Sequence, residues 1–139
     1  MDLTQNKKNL QGKYCTKPFN SLELHLNGEA YVCCPSWLNT SVGNLKNSDL
    51  KTIWNSDMAL SIRESILDGS YKYCNQNVCP FIQSETLYTA DDLPNSLQQD
   101  IRKQKTTLET LPEHIMLSYD RSCNLSCPSC RTEVLINNP

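Results

Sequence analysis

Eight cysteines are the chemistry-bearing residues of this 139-residue chain, and their spacing is uneven. Three of them, Cys123, Cys127 and Cys130, stand in "SCNLSCPSC" near the end of the sequence. A structural zinc site takes four ligands, often as two Cys-x2-Cys knuckles. Cys-x3-Cys-x2-Cys supplies three, with no cysteine or histidine after it. Three thiolates on one loop can wrap three corners of a cuboidal iron–sulfur cluster and leave the fourth iron open. Such clusters usually take four thiolates, so a three-ligand loop points to a coordination position kept free. The other five are Cys15, Cys33, Cys34, Cys74 and Cys79. Thiols at this density in a reducing compartment ligate something or do redox work. A disulfide framework is the competing reading, and it requires export.

The elements that must position these residues are legible in outline. "SLELHL" (21–26) alternates, with Leu22, Leu24 and Leu26 on one face, and "EAYVCC" (29–34) follows. Asn27-Gly28 between them is a strong hairpin signal, because both residues tolerate positive φ. Two helices are expected next, near 49–54 with Ser48 as cap and near 57–67 with Ser56 or Asp57 as cap. Ala59, Ile62 and Ile66 recur at helical spacing, and Gly69 is a plausible stop. Trp54 reads as a packing anchor. Residues 72–81 are turn-like and carry Cys74 and Cys79. Residues 84–93 read as linker, and Pro94 opens a helix near 95–104 with Leu97 and Ile101 on one side. "EHIMLSYD" (113–120) reads as a strand with Ile115 and Leu117 on one face and Met116 on the other. The closing triplet follows that strand, and in α/β folds ligand sites lie at the carboxyl ends of strands.

Two resemblances rest on these stretches. "CNLSCPSC" resembles the cluster signature of the radical S-adenosylmethionine superfamily, with Asn124-Leu125 in the familiar place. The resemblance implies that Cys123, Cys127 and Cys130 hold a 4Fe–4S cluster whose open iron binds S-adenosylmethionine. Electron transfer to that cofactor would then release a 5′-deoxyadenosyl radical. Ser129 stands where that superfamily usually carries an aromatic residue. "CTKPFNSLELHLNGEAYVCC" resembles the opening of a SPASM or twitch domain, the auxiliary-cluster module of such enzymes. There a cysteine, a hairpin with glycine at its turn and a second cysteine supply two ligands, and a later pair closes the cluster. The resemblance implies Cys15, Cys33, Cys74 and Cys79 as ligands. In a strand Cys34 would point to the opposite face from Cys33. It reads as a small buried hydrophobe, with an alternative ligand as the second reading. The closing part has Cys-x4-Cys in place of the family's Cys-x2-Cys, which supports one auxiliary cluster. Zinc is the alternative at this four-cysteine set.

The expected fold is α+β: a small hairpin-plus-helix SPASM/twitch-like iron–sulfur domain, then the first strand and cluster loop of an incomplete (β/α) barrel. The expected divisions are a flexible N-terminus (1–13), the auxiliary domain (14–83), a linker and helix (84–112) and the start of the radical S-adenosylmethionine domain (113–139). A full barrel needs roughly 200 residues or more. The chain is therefore expected to be the front part of a larger enzyme and too short for catalysis alone. The order is also reversed, since the auxiliary module usually follows the barrel. A peptide or protein substrate and an electron donor such as a ferredoxin or flavodoxin are the partners the resemblance implies. The other reading is a free-standing iron–sulfur or zinc module with an electron-transfer or structural role.

Net charge of -2 gives no nucleic-acid footprint and no polybasic membrane patch. No apolar run approaches the ~20 residues of a membrane span, and "MDLTQNKKNLQGKY" lacks the apolar core of a signal peptide. The expected location is cytoplasmic. His25 and His114 are not expected to be ligands. Neither a glycine-rich phosphate loop nor a Gly-x-Ser-x-Gly elbow is present.

Overall fold

The computed structural model describes residues 8–118. Its α+β body is organised by one hairpin. β1 (Ser21–His25) and β2 (Glu29–Tyr31) pair antiparallel, with Glu23 opposite Tyr31 and Leu24 opposite Ala30. Gly28 closes the turn at φ +88°, a backbone state that costs glycine little. Its N–H donates to the His25 carbonyl at 2.9 Å. β1 alternates as its sequence dictates, with Leu22 and Leu24 buried. Leu26 falls in the turn instead of the strand and is 60% exposed.

β3 (Gly43–Asn44) extends the sheet antiparallel to β2, and β4 (His114–Ser118) extends it on the other side. The strand order is β3-β2-β1-β4. β4 runs parallel to β1, with Leu22 opposite Ile115 and Leu24 opposite Leu117. It is an edge strand, and Met116 and Leu117 are 62% and 61% exposed. Among the described residues, side chains on both of its faces are therefore largely exposed.

Helices cover the remaining apolar surface. The short α1 (Lys17–Asn20) precedes β1, with Pro18 near its start, where a missing N–H is harmless. α2 (Leu50–Trp54) is capped by Asp49, whose Oδ1 accepts from Thr52 N at 2.8 Å. Ser48 lies one residue earlier, in the turn that its N–H closes on the Asn44 carbonyl at 3.1 Å, and Asp49 is the capping residue. α3 (Asp57–Leu67) begins at Ser56, whose Oγ accepts from Ala59 N. Gly69, at φ +75°, lies just past its end. α4 (Pro80–Gln83) follows Cys79, and α5 (Asn95–Arg102) follows Pro94. Leu22, Leu24, Ile53, Trp54, Ile62 and Ile66 join one core, to which Leu97 and Ile101 of α5 also belong. Residues 84–93 touch the body as well. Tyr88 exchanges two backbone hydrogen bonds with Tyr14, at 2.8 and 3.1 Å, and Leu93 is buried. Among the described residues no helix is long and apolar enough to cross a membrane.

Candidate metal centre

Three segments deliver the four cysteines of the N-terminal set. Cys15 stands two residues before α1, directly after Tyr14, which the Tyr88 bridge fixes in place. Tyr71 Oη donates to the Lys13 carbonyl at 2.7 Å and holds the same segment from another side. Cys33 lies two residues past the end of β2. Cys74 sits in the turn after α3, with its N–H donating to the Tyr71 carbonyl at 3.0 Å. Cys79 closes the next turn through its N–H on the Asn75 carbonyl at 3.0 Å, and it precedes Pro80 at the start of α4. The two halves are tied together by Asn75 N, which donates to the Trp37 carbonyl at 2.7 Å.

All five described cysteines are free. Burial raises the Cys15 thiol well above its ordinary range, and the charges of Cys33, Cys74 and Cys79 raise it further. Cys15 is only half-buried by area, yet protein atoms crowd its sulfur, and that enclosure governs its ionisation. Burial pushes Cys74 up to about 12, with Cys33 and Cys79 adding to the effect. Burial also raises Cys33, with a smaller addition from Cys79 and Cys34 and against the pull of two hydrogen-bond donors. These donors are the Trp37 indole, at 3.2 Å from Sγ, and the Cys34 backbone N–H. The Lys17 backbone N–H plays the same part for Cys15. Charge effects link Cys15 with Cys33, Cys74 and Cys79, and Cys33 also with Cys34, so these thiols are neighbours. Their thiolates repel one another and are poorly solvated. A bound group carrying positive metal charge would relieve both penalties.

Cys34 is placed differently from the strand expectation. β2 ends at Tyr31 and the backbone bends before Cys33, so strand alternation no longer applies. Cys33 and Cys34 border the same cavity, of about 340 Å³, together with Lys17, Trp37, Phe81 and Met116. Cys34 stays partly exposed there. His25 is engaged elsewhere, with Nε2 2.8 Å from Glu23 Oε1, and His114 is exposed on β4. Cys123, Cys127 and Cys130 lie outside the described residues. Two residues of the site carry no sequence motif. Trp37 is marked only as an aromatic four positions past Cys33. Tyr71 is buried, adopts φ +47° and is within reach of the charges on Cys15, Cys74 and Cys79. Among the described residues no three His, Cys, Asp or Glu side chains converge tightly enough to grip a single metal ion.

A hairpin-borne set of four free cysteines defines a candidate thiolate metal centre. Residues 15–80, which span all four, match the family model of SPASM, the iron-sulfur cluster-binding domain. Searches of curated proteins and of solved structures gave no match.

Proposed function

We propose that Cys15, Cys33, Cys74 and Cys79 hold one 4Fe–4S cluster. We further propose that the chain is the N-terminal part of a radical S-adenosylmethionine enzyme acting on a peptide or protein. The observation that carries it is the presence of four free cysteines, from three segments, within the residues that match the iron-sulfur cluster-binding family model. The donor set fits the group. Four soft thiolates suit iron–sulfur chemistry, and N–H donors face two of the sulfurs. Zinc is the second reading, because four cysteines are also a common structural zinc set; the match of residues 15–80 to an iron-sulfur cluster-binding family model favours the cluster.

The protein's own contribution at this site is enclosure and alignment. The hairpin returns Cys33 toward Cys15, and the α3–α4 connection brings Cys74 and Cys79 to them. Burial limits the access of water, and backbone and indole N–H groups carry part of the sulfur charge. Cys123, Cys127 and Cys130 would hold a second cluster, which when bound supplies the electron that cleaves S-adenosylmethionine. A ferredoxin- or flavodoxin-like protein would deliver electrons.

Anaerobic reconstitution with iron and sulfide tests both sites. The wild-type chain should take up two clusters' worth of iron and sulfide. A Cys123→Ala, Cys127→Ala, Cys130→Ala variant should keep half of it. Cys15→Ala, Cys33→Ala, Cys74→Ala or Cys79→Ala should each remove the other half, while Cys34→Ala should not. A purified chain with one zinc and no sulfide would sink the iron–sulfur assignment.

A further inference from the structure

We propose that Trp37 sets the reduction potential of the four-cysteine site by donating its indole N–H to the Cys33 sulfur. The inference rests on the reading of Cys33 as a cluster ligand. Trp37 Nε1 lies 3.2 Å from Cys33 Sγ, inside hydrogen-bond range for a sulfur acceptor. The backbone behind the ring is pinned on both sides. Trp37 N donates to the Cys34 carbonyl at 3.3 Å, and the Trp37 carbonyl accepts from Asn75 N at 2.7 Å. These bonds join the turn bearing Cys33 to the loop bearing Cys74, so the donor is aimed by the segments that carry two of the ligands. The ring is half-buried and forms part of the cavity wall beside Cys33. Partial exclusion of water strengthens such a bond. The chain's other tryptophan, Trp54, spends its N–H on the Thr110 carbonyl at 2.9 Å, a packing contact.

The physical consequence is directional. One-electron reduction makes the site more negative, and part of that charge resides on the ligand sulfurs. An N–H donor stabilises the reduced state more than the oxidised one, because its bond strengthens as the acceptor gains charge. Hydrogen bonds to the sulfurs are among the factors that set iron–sulfur potentials. Trp37 therefore holds the potential higher than it would otherwise be. The electron comes from an external reductant, dithionite in a titration, and no bond is made or broken.

The test compares the full chain with its Trp37→Phe variant, both carrying Cys123→Ala, Cys127→Ala and Cys130→Ala so that one site reports. Phenylalanine keeps a ring and removes the donor. The expected result is unchanged iron and sulfide with a more negative midpoint in an EPR-monitored redox titration. The reduced-to-oxidised ratio at fixed potential should fall about tenfold, equal to ~59 mV for one electron. An unchanged midpoint at full iron content overturns the proposal. Absence of iron and sulfide from the chain that retains Trp37 overturns the ligand reading instead, so the two failures are distinct. Should Trp37→Phe not fold, site-specific benzothienylalanine at position 37 replaces the N–H by sulfur in nearly the same shape. A midpoint equal to that of the tryptophan protein would then refute the role of the donor.

Discussion

Arg63 is fully buried, and among the described residues it forms no ion pair with a carboxylate. Its guanidinium is held by acceptors instead: the Pro18 carbonyl at 2.8 Å, Trp54 at 2.7 Å, Thr106 at 2.9 Å and Asn55 Oδ1 at 3.3 Å. It also lies 4.4 Å from the centre of the Trp54 ring. Burial lowers its pKa to about 10, so it remains protonated at neutral pH. One side chain thus ties α1, the end of α2 and the segment after α5 to α3. Replacing it by methionine would keep most of the volume and leave three buried carbonyls without their donor. Each such loss costs about 1–3 kcal/mol before relaxation. Arg63→Met should therefore destabilise the fold by about 3 kcal/mol, read from the shift of the urea midpoint at constant slope. A loss below ~1 kcal/mol would show that water or a repacked loop takes over those carbonyls. The helical periodicity of α3 identifies Ile62 and Ile66 as core, but nothing in it marks Arg63 as a buried hub. Its partners lie up to 45 residues away in sequence.

At the scale of elements, the hairpin does most to build the site. It sets the direction in which Cys33 returns toward Cys15, and it depends on Gly28. An added Cβ there would stand 2.5 Å from Asn44 Oδ1 and 3.3 Å from Lys46 Cγ, on a backbone at φ +88°. The strained backbone alone costs on the order of 1 kcal/mol, and the crowding of β3 adds to it. Gly28→Ala should lower stability by about 2 kcal/mol in chemical unfolding. It should also weaken cluster retention, seen as faster iron loss to a chelator. Full stability with normal iron retention would mean that the turn has room to adjust. The hairpin was readable because Asn-Gly between alternating runs is a local signal. The cap of α2 is Asp49 and not its neighbour Ser48, since both residue types cap well and residue type alone does not choose between them. β4 was readable as a strand, but its partner was not. Strand pairing across roughly ninety residues leaves no local trace.

For the molecule as a whole, the four thiols come from segments spread over residues 15–79, so whatever binds them cross-links most of the body. A group bound by the folded chain and not by the unfolded one adds its binding free energy to stability. The reconstituted protein should therefore unfold at a higher temperature than the iron-free protein. Removing iron with a chelator under anaerobic conditions should return the lower Tm, followed by circular dichroism. Equal transitions in the two forms would show that the thiols are not joined by a common group. The edge strand β4 lies on the same sheet, hydrogen-bonded to β1 in the hairpin. The segment leading toward Cys123 is thereby attached to the element that positions Cys33.

The sequence by itself determined the cysteine inventory, the hairpin, the two helices that follow it and the resemblance that groups Cys15, Cys33, Cys74 and Cys79. Those features are written in local spacing and in residue types whose conformational limits are strong. Tertiary structure alone decided that Cys33 and Cys34 share a cavity, that Trp37 donates to a sulfur and that Arg63 ties distant carbonyls together. The physical reason is common to all of these. Each depends on where a chain bend or a long-range packing contact places a side chain, and periodicity carries no record of either.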